Sequence, residues 1–282
     1  MNILKDLIFG LPLAFTTDFD GTAANTLDGV HGAVLKALIS VFGPTVEPLY
    51  KKVGGLKNRA PRELVEALLK EGTAELSILA FRFLERNKNK LNGYVPEEKA
   101  IPLIWDDDDP LTIMTELFVL QKLRILIRGI STKSGPNSWP QLMTGFKEKW
   151  EELSKNPNVF TVVLSSGHDI FINMVFDLWG LTRPDLMLTD DDARFATYKG
   201  GEALCKPDSR LMDKVLVDLR ERTGIDEFSM IYFGDDLIKD GKLAENSGVP
   251  FFHFDLNNQN EHVNSFNDWS ILSFVEKATS TT

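Results

Sequence analysis

Apolar residues recur along this chain in two different rhythms. Between residues 30 and 130 they return at helical spacing, as at Val30, Val34 and Leu38, and this spacing predicts a series of helices. From about residue 159 onward, short unbroken apolar runs alternate with helical stretches, and the runs predict buried strands. The runs are Phe160–Leu164, Asp185–Thr189, Met230–Phe233 and Gly248–Phe254. Strands that alternate with helices indicate βαβ units and a parallel sheet.

One further strand lies far upstream of the others. The apolar and β-branched run Ala14–Thr17 predicts a buried strand, which Gly21 follows closely. The long helical segment therefore interrupts an α/β domain. We predict a Rossmann-like parallel-sheet core formed by residues 1–24 and 151–282, with an all-helical domain, residues 25–150, inserted after the first strand.

Charge and cysteine content narrow the possible partners and compartment. The chain has 282 residues and a formal net charge of −10, which disfavours nucleic acid or an anionic membrane as the main partner. Cys205 is its single cysteine, so no disulfide can form within the chain, as is typical of a reducing cytosol. The apolar start, residues 1–13, suits an amphipathic helix better than a signal peptide, because Asp6 and Pro12 interrupt it. We predict a cytoplasmic protein.

Two carboxylates follow the upstream strand, in the sequence Asp18-Phe19-Asp20-Gly21-Thr22. Side chains alternate along a strand, so Asp18 and Asp20 leave its end on the same side. Carboxylates this close repel one another unless a cation lies between them or one is protonated. A hard divalent cation such as Mg²⁺ accounts for the pair, and an acidic turn exposed to solvent is the alternative.

Polar residues also follow the later predicted strands. Ser165 ends one strand, where its hydroxyl and the next backbone N–H groups can hold an anion. Lys206 precedes a proline that favours the start of a helix, and Asp235 and Asp236 follow another strand, with Asp240 beyond them. Each has an ordinary structural alternative: turn chemistry for the serine, solvation for the lysine, and N-capping for the acids.

Taken in order, these residues resemble the four motifs of the haloacid dehalogenase (HAD) superfamily of phosphohydrolases, in the subgroup with a helical cap inserted after the first motif. The resemblance implies that Asp18 is the nucleophile, which becomes an aspartyl-phosphate. It implies that Asp20 is the general acid and then the general base, and that Ser165 and Lys206 hold the transferring phosphoryl group. The implied substrate-binding residues are Gly21, Thr22, Ser165, Ser166 and Lys206.

The same resemblance implies a Mg²⁺ site. Asp18, the backbone carbonyl of Asp20 and Asp235 are the implied ligands, and Asp236 is either a further ligand or a residue that orients the site. Asp240 is expected behind the ligands. These roles are chemically reasonable, because a carboxylate approaches an anionic phosphate only when cations offset the repulsion.

The resemblance implies a Mg²⁺-dependent phosphatase acting on a small phosphorylated metabolite. A phosphomutase would use the same four motifs and is the alternative. A binding protein without activity is less favoured, because no motif residue is missing. The sequence specifies neither the substrate nor the oligomeric state.

Two polar segments lie near the motifs, and the resemblance assigns no role to either. His168 and Asp169 follow Ser165 closely, and they either contact substrate or cap the next helix. The run Asp190–Asp192 is predicted to be a solvated loop.

Overall fold

The computed structural model describes residues 10–55, 60–72, 74–87, 95–102, 110–132, 140–257 and 264–272. Most of the predicted N-terminal amphipathic helix, up to residue 9, lies outside these residues. The chain divides into two compact units, Met1–Asn25 with Pro140–Thr282, and Thr26–Trp139. We call them the α/β unit and the helical unit. The chain thus returns to the α/β unit at Pro140, whereas the sequence analysis sets this limit at residue 150.

A parallel sheet forms the centre of the α/β unit. The strands of the described residues are β1 (Leu13–Thr17), β2 (Ala24–Asn25), β3 (Gln141–Leu142), β4 (Val159–Leu164), β5 (Leu186–Leu188), β6 (Ser229–Gly234), β7 (Phe251–Phe254) and β8 (Ser265–Phe266). Six of them form one sheet in the order β5-β4-β1-β6-β7-β8, and every pairing in it is parallel. The predicted parallel sheet is confirmed, and its upstream strand, β1, lies between β4 and β6.

The helical unit contains only helices among its described residues. They are α1 (Leu27–Phe42), α2 (Val46–Lys52), α3 (Pro61–Glu71), α4 (Ala74–Asn87), a short 3₁₀ helix (Glu97–Lys99) and α5 (Pro110–Thr132). Side chains at helical spacing, such as Leu38, Leu68 and Phe118, are fully buried and form its core. The predicted all-helical insertion is confirmed. No helix in the described residues combines the length and apolar character needed to cross a membrane.

Helices cover the sheet of the α/β unit. They are α6 (Phe146–Ser154), α7 (Asp169–Trp179), α8 (Asp190–Tyr198), α9 (Arg210–Thr223), a π-helical turn (Leu237–Gly241), α10 (Lys242–Ser247) and a 3₁₀ helix (Trp269–Ile271). Because strand side chains alternate, Ala14 packs in a cluster with Val215 and Leu219 of α9, whereas Phe15 contacts the rings of Trp150 and Trp269. Both faces of β1 are therefore buried, which explains why the strand consists of apolar and β-branched residues without a charge.

Two short strands join the point where the chain leaves the α/β unit to the point where it returns. β2 and β3 pair antiparallel, with Ala24 opposite Leu142 and Asn25 opposite Gln141. The Met143 N–H also donates to the carbonyl oxygen of Ala23 at 2.9 Å. This pairing lies directly after Thr22, so it fixes the backbone that follows the acidic turn.

Candidate active site

Three neighbouring strands end beside the predicted site residues. Asp18 follows β1, Ser165 follows β4, and Asp235 follows β6. The carboxyl ends of parallel strands meet at one edge of a sheet, where ligands of open α/β folds bind. The order β4-β1-β6 therefore brings Asp18 together with two residues that lie more than a hundred positions further along the chain.

Lys206 lies between two carboxylates at this edge. Its Nζ donates to Asp18 Oδ1 at 2.7 Å and to Asp240 Oδ1 at 2.8 Å, and its side chain is only 5% exposed. Burial by itself lowers the pKa of Lys206, but the two carboxylates outweigh it and raise the pKa above its ordinary value. The ammonium group is therefore held charged and in a fixed position.

Three carboxylates approach one another around this lysine. One oxygen each from Asp18, Asp235 and Asp240 can be chosen so that all three lie within 4.8 Å of one another. Burial, followed by repulsion from Asp240, raises the pKa of Asp235 to about 7. Burial is also the largest cause that raises the pKa of Asp18 well above its ordinary value; Lys206 opposes it, and the neighbouring carboxylates add to it. The cluster thus has more negative charge than Lys206 can offset.

This donor set fits a hard divalent cation. Carboxylate oxygens are the ligands that Mg²⁺ prefers, and two or three of them on one side leave room for water or a phosphate oxygen. A cation at the cluster would relieve the repulsion that raises the pKa of both Asp18 and Asp235. Asp18, Asp235 and Asp240 are therefore the residues that could hold it.

The turn after β1 packs directly against the cluster. Gly21 has φ +82°, and a Cβ atom at this position would lie 2.2 Å from Asp235 Oδ2, so no residue with a side chain fits. The hydroxyl of Thr22 donates to Asp235 Oδ1 at 3.2 Å. The side chain of Thr22, a residue predicted to bind substrate, thus orients the carboxylate of Asp235.

The turn after β4 is closed by a hydrogen bond to Ser165. The Gly167 N–H donates to Ser165 Oγ at 3.0 Å, which leaves the serine hydroxyl hydrogen free to point elsewhere. A Cβ atom on Gly167 would lie 3.1 Å from Asp20 Oδ2, so this turn adjoins the second predicted catalytic carboxylate. Ser166 is exposed. Ser165, Ser166 and Lys206 also line a common cavity of about 130 Å³.

The two remaining acidic residues after β6 lie in different surroundings. The carboxylate of Asp236, predicted as a further ligand or as a residue that orients the site, accepts from the N–H groups of Ile238 and Lys239 and caps its own turn. Asp240, expected behind the ligands, is buried beside Asp18 and Asp235, and which of these carboxylates would contact a cation stays a prediction. The turn is π-helical, with the Gly241 N–H reaching the Asp236 carbonyl, and this wider turn carries Asp240 back toward Lys206.

Sequence reasoning missed two residues that support the cluster. The Tyr232 hydroxyl donates to Asp240 Oδ1 at 2.6 Å from within β6. His253 Nε2 lies 3.1 Å from the carbonyl oxygen of Asp235. A polar residue inside each apolar strand run was the available signal, since a buried hydroxyl or imidazole needs a partner.

No protein-family model matches this sequence, and no curated protein matches it. Solved structures match nearly the whole chain. A HAD hydrolase, family IA, variant 3, from Entamoeba histolytica HM-1:IMSS matches with a TM-score of 0.52 at 14% identity, over 93% of this chain and 95% of that chain. A 2-haloacid dehalogenase from Pseudomonas syringae pv. Tomato DC3000 matches with a TM-score of 0.47 at 17% identity, over 92% and 94%. The first match shows that the chain has a HAD-like fold, which confirms that prediction.

Proposed function

We propose that this protein is a Mg²⁺-dependent phosphomonoester hydrolase that acts through an aspartyl-phosphate on Asp18. The observation that carries the proposal is the grouping of Asp18, Asp235 and Asp240 beside one buried ammonium, that of Lys206. The HAD-like fold, with this cluster at the carboxyl edge of its sheet, supports the proposal. The proposed partner is a small phosphorylated metabolite, and the net charge of −10 argues against a nucleic acid.

A carboxylate can attack phosphorus only if cations offset its repulsion from the phosphate oxygens. Lys206 contributes one such charge next to Asp18. Asp18, Asp235 and Asp240 could hold Mg²⁺, which would supply further positive charge for the phosphate oxygens. This charge would also favour the ionised form of Asp18, which burial disfavours.

In the proposed reaction, an oxygen of Asp18 attacks the phosphorus atom, and the bond from phosphorus to the leaving oxygen breaks. Asp20 gives its proton to that oxygen and then takes a proton from the water that hydrolyses the acyl phosphate. Ser165 is available to donate to a phosphoryl oxygen, because its own oxygen already accepts from Gly167. Lys206 holds Asp18 and balances charge on the phosphoryl group.

The direct test is phosphate release from p-nitrophenyl phosphate and from a panel of sugar phosphates and phosphoglycolate, with Mg²⁺ and with EDTA. We expect hydrolysis that requires Mg²⁺. Asp18→Asn keeps the shape of the side chain but removes the nucleophile, and it should lower kcat by about a thousandfold or more. Mass spectrometry of the quenched enzyme should find the added phosphoryl group on Asp18.

Asp177→Asn is the matched control, because Asp177 is an exposed carboxylate paired with Arg183 on the protein surface. It should retain full activity. Hydrolysis that persists in EDTA would contradict the metal role, and an active Asp18→Asn variant would mean another nucleophile. Transfer of phosphate between positions of a sugar phosphate, without release, would indicate a phosphomutase.

A further inference from the structure

A second group of charged residues is buried beside the Ser165–Gly167 turn. His168, Asp169 and Asp191 are each no more than 5% exposed, and Thr189 is 6% exposed. Arg194 extends from α8 to join them. None of these five residues belongs to the cluster around Lys206. Together they connect the start of α7 to the start of α8.

Asp191 is the centre of this group. Its Oδ1 lies 2.9 Å from His168 Nδ1 and accepts from Arg194 at 2.9 Å, while its Oδ2 accepts from the Asp169 N–H at 3.0 Å. Burial by itself would raise the pKa of Asp191, but His168, Arg194 and the Asp169 N–H outweigh it and hold the pKa below its usual range. Asp191 is therefore an acceptor only, and His168 Nδ1 donates to it.

These contacts immobilise the residues directly after Ser165. The Ser165 N–H donates to the Leu188 carbonyl at 3.0 Å, and the Gly167 carbonyl accepts from the Asp190 N–H at 3.3 Å. His168 and the Asp169 N–H, the next groups along the chain, both bind Asp191. The turn is thus attached to the end of β5 and the start of α8 at successive positions along its length.

Stability alone does not explain a carboxylate at this position. A buried ion pair stabilises a fold little more than well-packed apolar side chains of similar volume do, because desolvation offsets the attraction. It differs from them in fixing direction, since hydrogen bonds hold each partner at a set distance and angle. The direction fixed here is that of the backbone from Ser165 to Asp169, which adjoins Asp20.

We propose that Asp191 is a positioning residue that holds the Ser165–Gly167 turn in the geometry that accepts phosphoryl oxygens. The proposal rests on the proposed function for the identity of the anion, but not for the contacts that fix the turn. Asp191 lies outside the group formed by Asp18, Asp235 and Asp240. It acts through His168 and the Asp169 N–H on the hydroxyl and N–H groups of the turn.

The test compares Asp191→Asn with Asp185→Asn. Asp185 accepts from the Thr161 N–H and hydroxyl at 2.7 and 3.0 Å, so it also joins the β4 and β5 segments, but at their amino ends. Hydrogen exchange of the amides from Ser166 to Asp169 reports on the turn directly. The Ki of inorganic phosphate, with KM and kcat for p-nitrophenyl phosphate, reports on anion binding.

In Asp191→Asn, we expect exchange of these amides to accelerate about tenfold or more, because a carboxylate with three donors is replaced by an amide that must face one of them with its own NH₂ group. The Ki of phosphate and KM should each rise about tenfold, with a smaller change in kcat. Asp185→Asn should leave the amide exchange rates, the Ki of phosphate and KM within about twofold of the wild-type values. Unchanged exchange, or unchanged Ki and KM in an active enzyme, would overturn the proposal.

If Asp191→Asn does not fold, two variants of His168 test the same proposal. His168→Asn offers an amide NH₂ close to the position of Nδ1 and should keep wild-type exchange and Ki, whereas His168→Leu removes the donor and should reproduce the loss. Equal behaviour of the two variants would overturn the proposal. If the wild-type protein neither hydrolyses p-nitrophenyl phosphate nor binds phosphate, the proposed function fails, and the exchange measurement alone then supports or overturns the positioning of the turn.

Discussion

Two groups of carboxylates lie beyond the ends of the sheet strands, and the protein stabilises their negative charges to different extents. In the first, Asp18, Asp235 and Asp240 crowd together beside Lys206, and burial, with repulsion from neighbouring carboxylates, raises the pKa of Asp18 and Asp235. In the second, Asp191 receives hydrogen bonds on both oxygens, and its pKa is held low. We call them the crowded cluster and the paired cluster.

We propose that this difference separates a cation site from a structural one, although both are acidic. Hydrogen-bond donors of the protein satisfy both oxygens of Asp191, so a cation would add little there. In the crowded cluster, burial and the neighbouring carboxylates raise the pKa of Asp18 and Asp235, which is typical of a site that a cation completes. Neutralising one carboxylate in each cluster should therefore change stability in opposite directions.

The largest change in the free energy of unfolding is expected in the paired cluster. Asp191→Asn should lower the free energy of unfolding by about 3 kcal/mol, because it removes the charge that pairs with His168 and Arg194 and turns an NH₂ group toward one of the three donors. Urea denaturation of the wild type and the variant at pH 7 measures this difference.

The loss of stability in Asp191→Asn should depend on pH and should become smaller in acid. The pKa of Asp191 is lower in the folded protein than in the unfolded chain, so its stabilisation is complete above about pH 4 and disappears as the pH falls through the folded-state pKa. The gap between the free energies of unfolding of the two proteins should narrow as the pH falls below 4. A gap that widens in acid would contradict this account of the paired cluster.

A smaller and opposite effect is expected in the crowded cluster. Asp235→Asn should raise the free energy of unfolding by about 1 kcal/mol in EDTA, because it removes a carboxylate that repels its neighbours. It should also abolish the rise in Tm that we expect Mg²⁺ to cause in the wild type. Thermal unfolding with and without Mg²⁺ measures both, and a variant that is less stable in EDTA and still responds to Mg²⁺ would show that the clusters do not differ as described.

The smallest effect is expected at Tyr232, which supports the crowded cluster from beneath. Tyr232→Phe removes one hydroxyl but leaves Asp240 bound to Lys206 and to the Asp236 N–H at 3.2 Å. We expect a loss of about 0.5 kcal/mol in the free energy of unfolding and less than a tenfold drop in kcat/KM for p-nitrophenyl phosphate. A loss as large as that in Asp18→Asn would mean that the tyrosine takes part in the chemistry.

The sheet could be predicted because its signal is local. The segments around β1, β4 and β6 are short apolar runs, each followed by a polar residue, and strand ends in parallel sheets collect such residues. The HAD-like fold was predicted in the same way, from the order of Asp18, Ser165, Lys206 and Asp235 along the chain. The catalytic and metal-binding roles of these residues remain predictions, which the experiments above address.

What the sequence could not specify depends on backbone geometry. Which of Asp236 and Asp240 enters the cluster is decided by the width of one turn, and residue spacing does not distinguish a π-helical turn from an α-helical one. The prediction that Asp190–Asp192 form a solvated loop was wrong. Thr189 and Asp192 form a capping box at the start of α8, and this places Asp191 in the interior, where distant His168 reaches it.

The pairing of β2 with β3 has a consequence for how this architecture can diversify. Because Asn25 and Gln141 are opposite each other in a hydrogen-bonded ladder, the inserted segment starts and finishes at adjacent points. A segment anchored in this way can lengthen, shorten or change its sequence while its two ends keep their places, since loop closure depends only weakly on length. The acidic turn just before β2 is therefore insulated from such changes, and descendants of one ancestral chain could exchange whole insertions while keeping this turn in place.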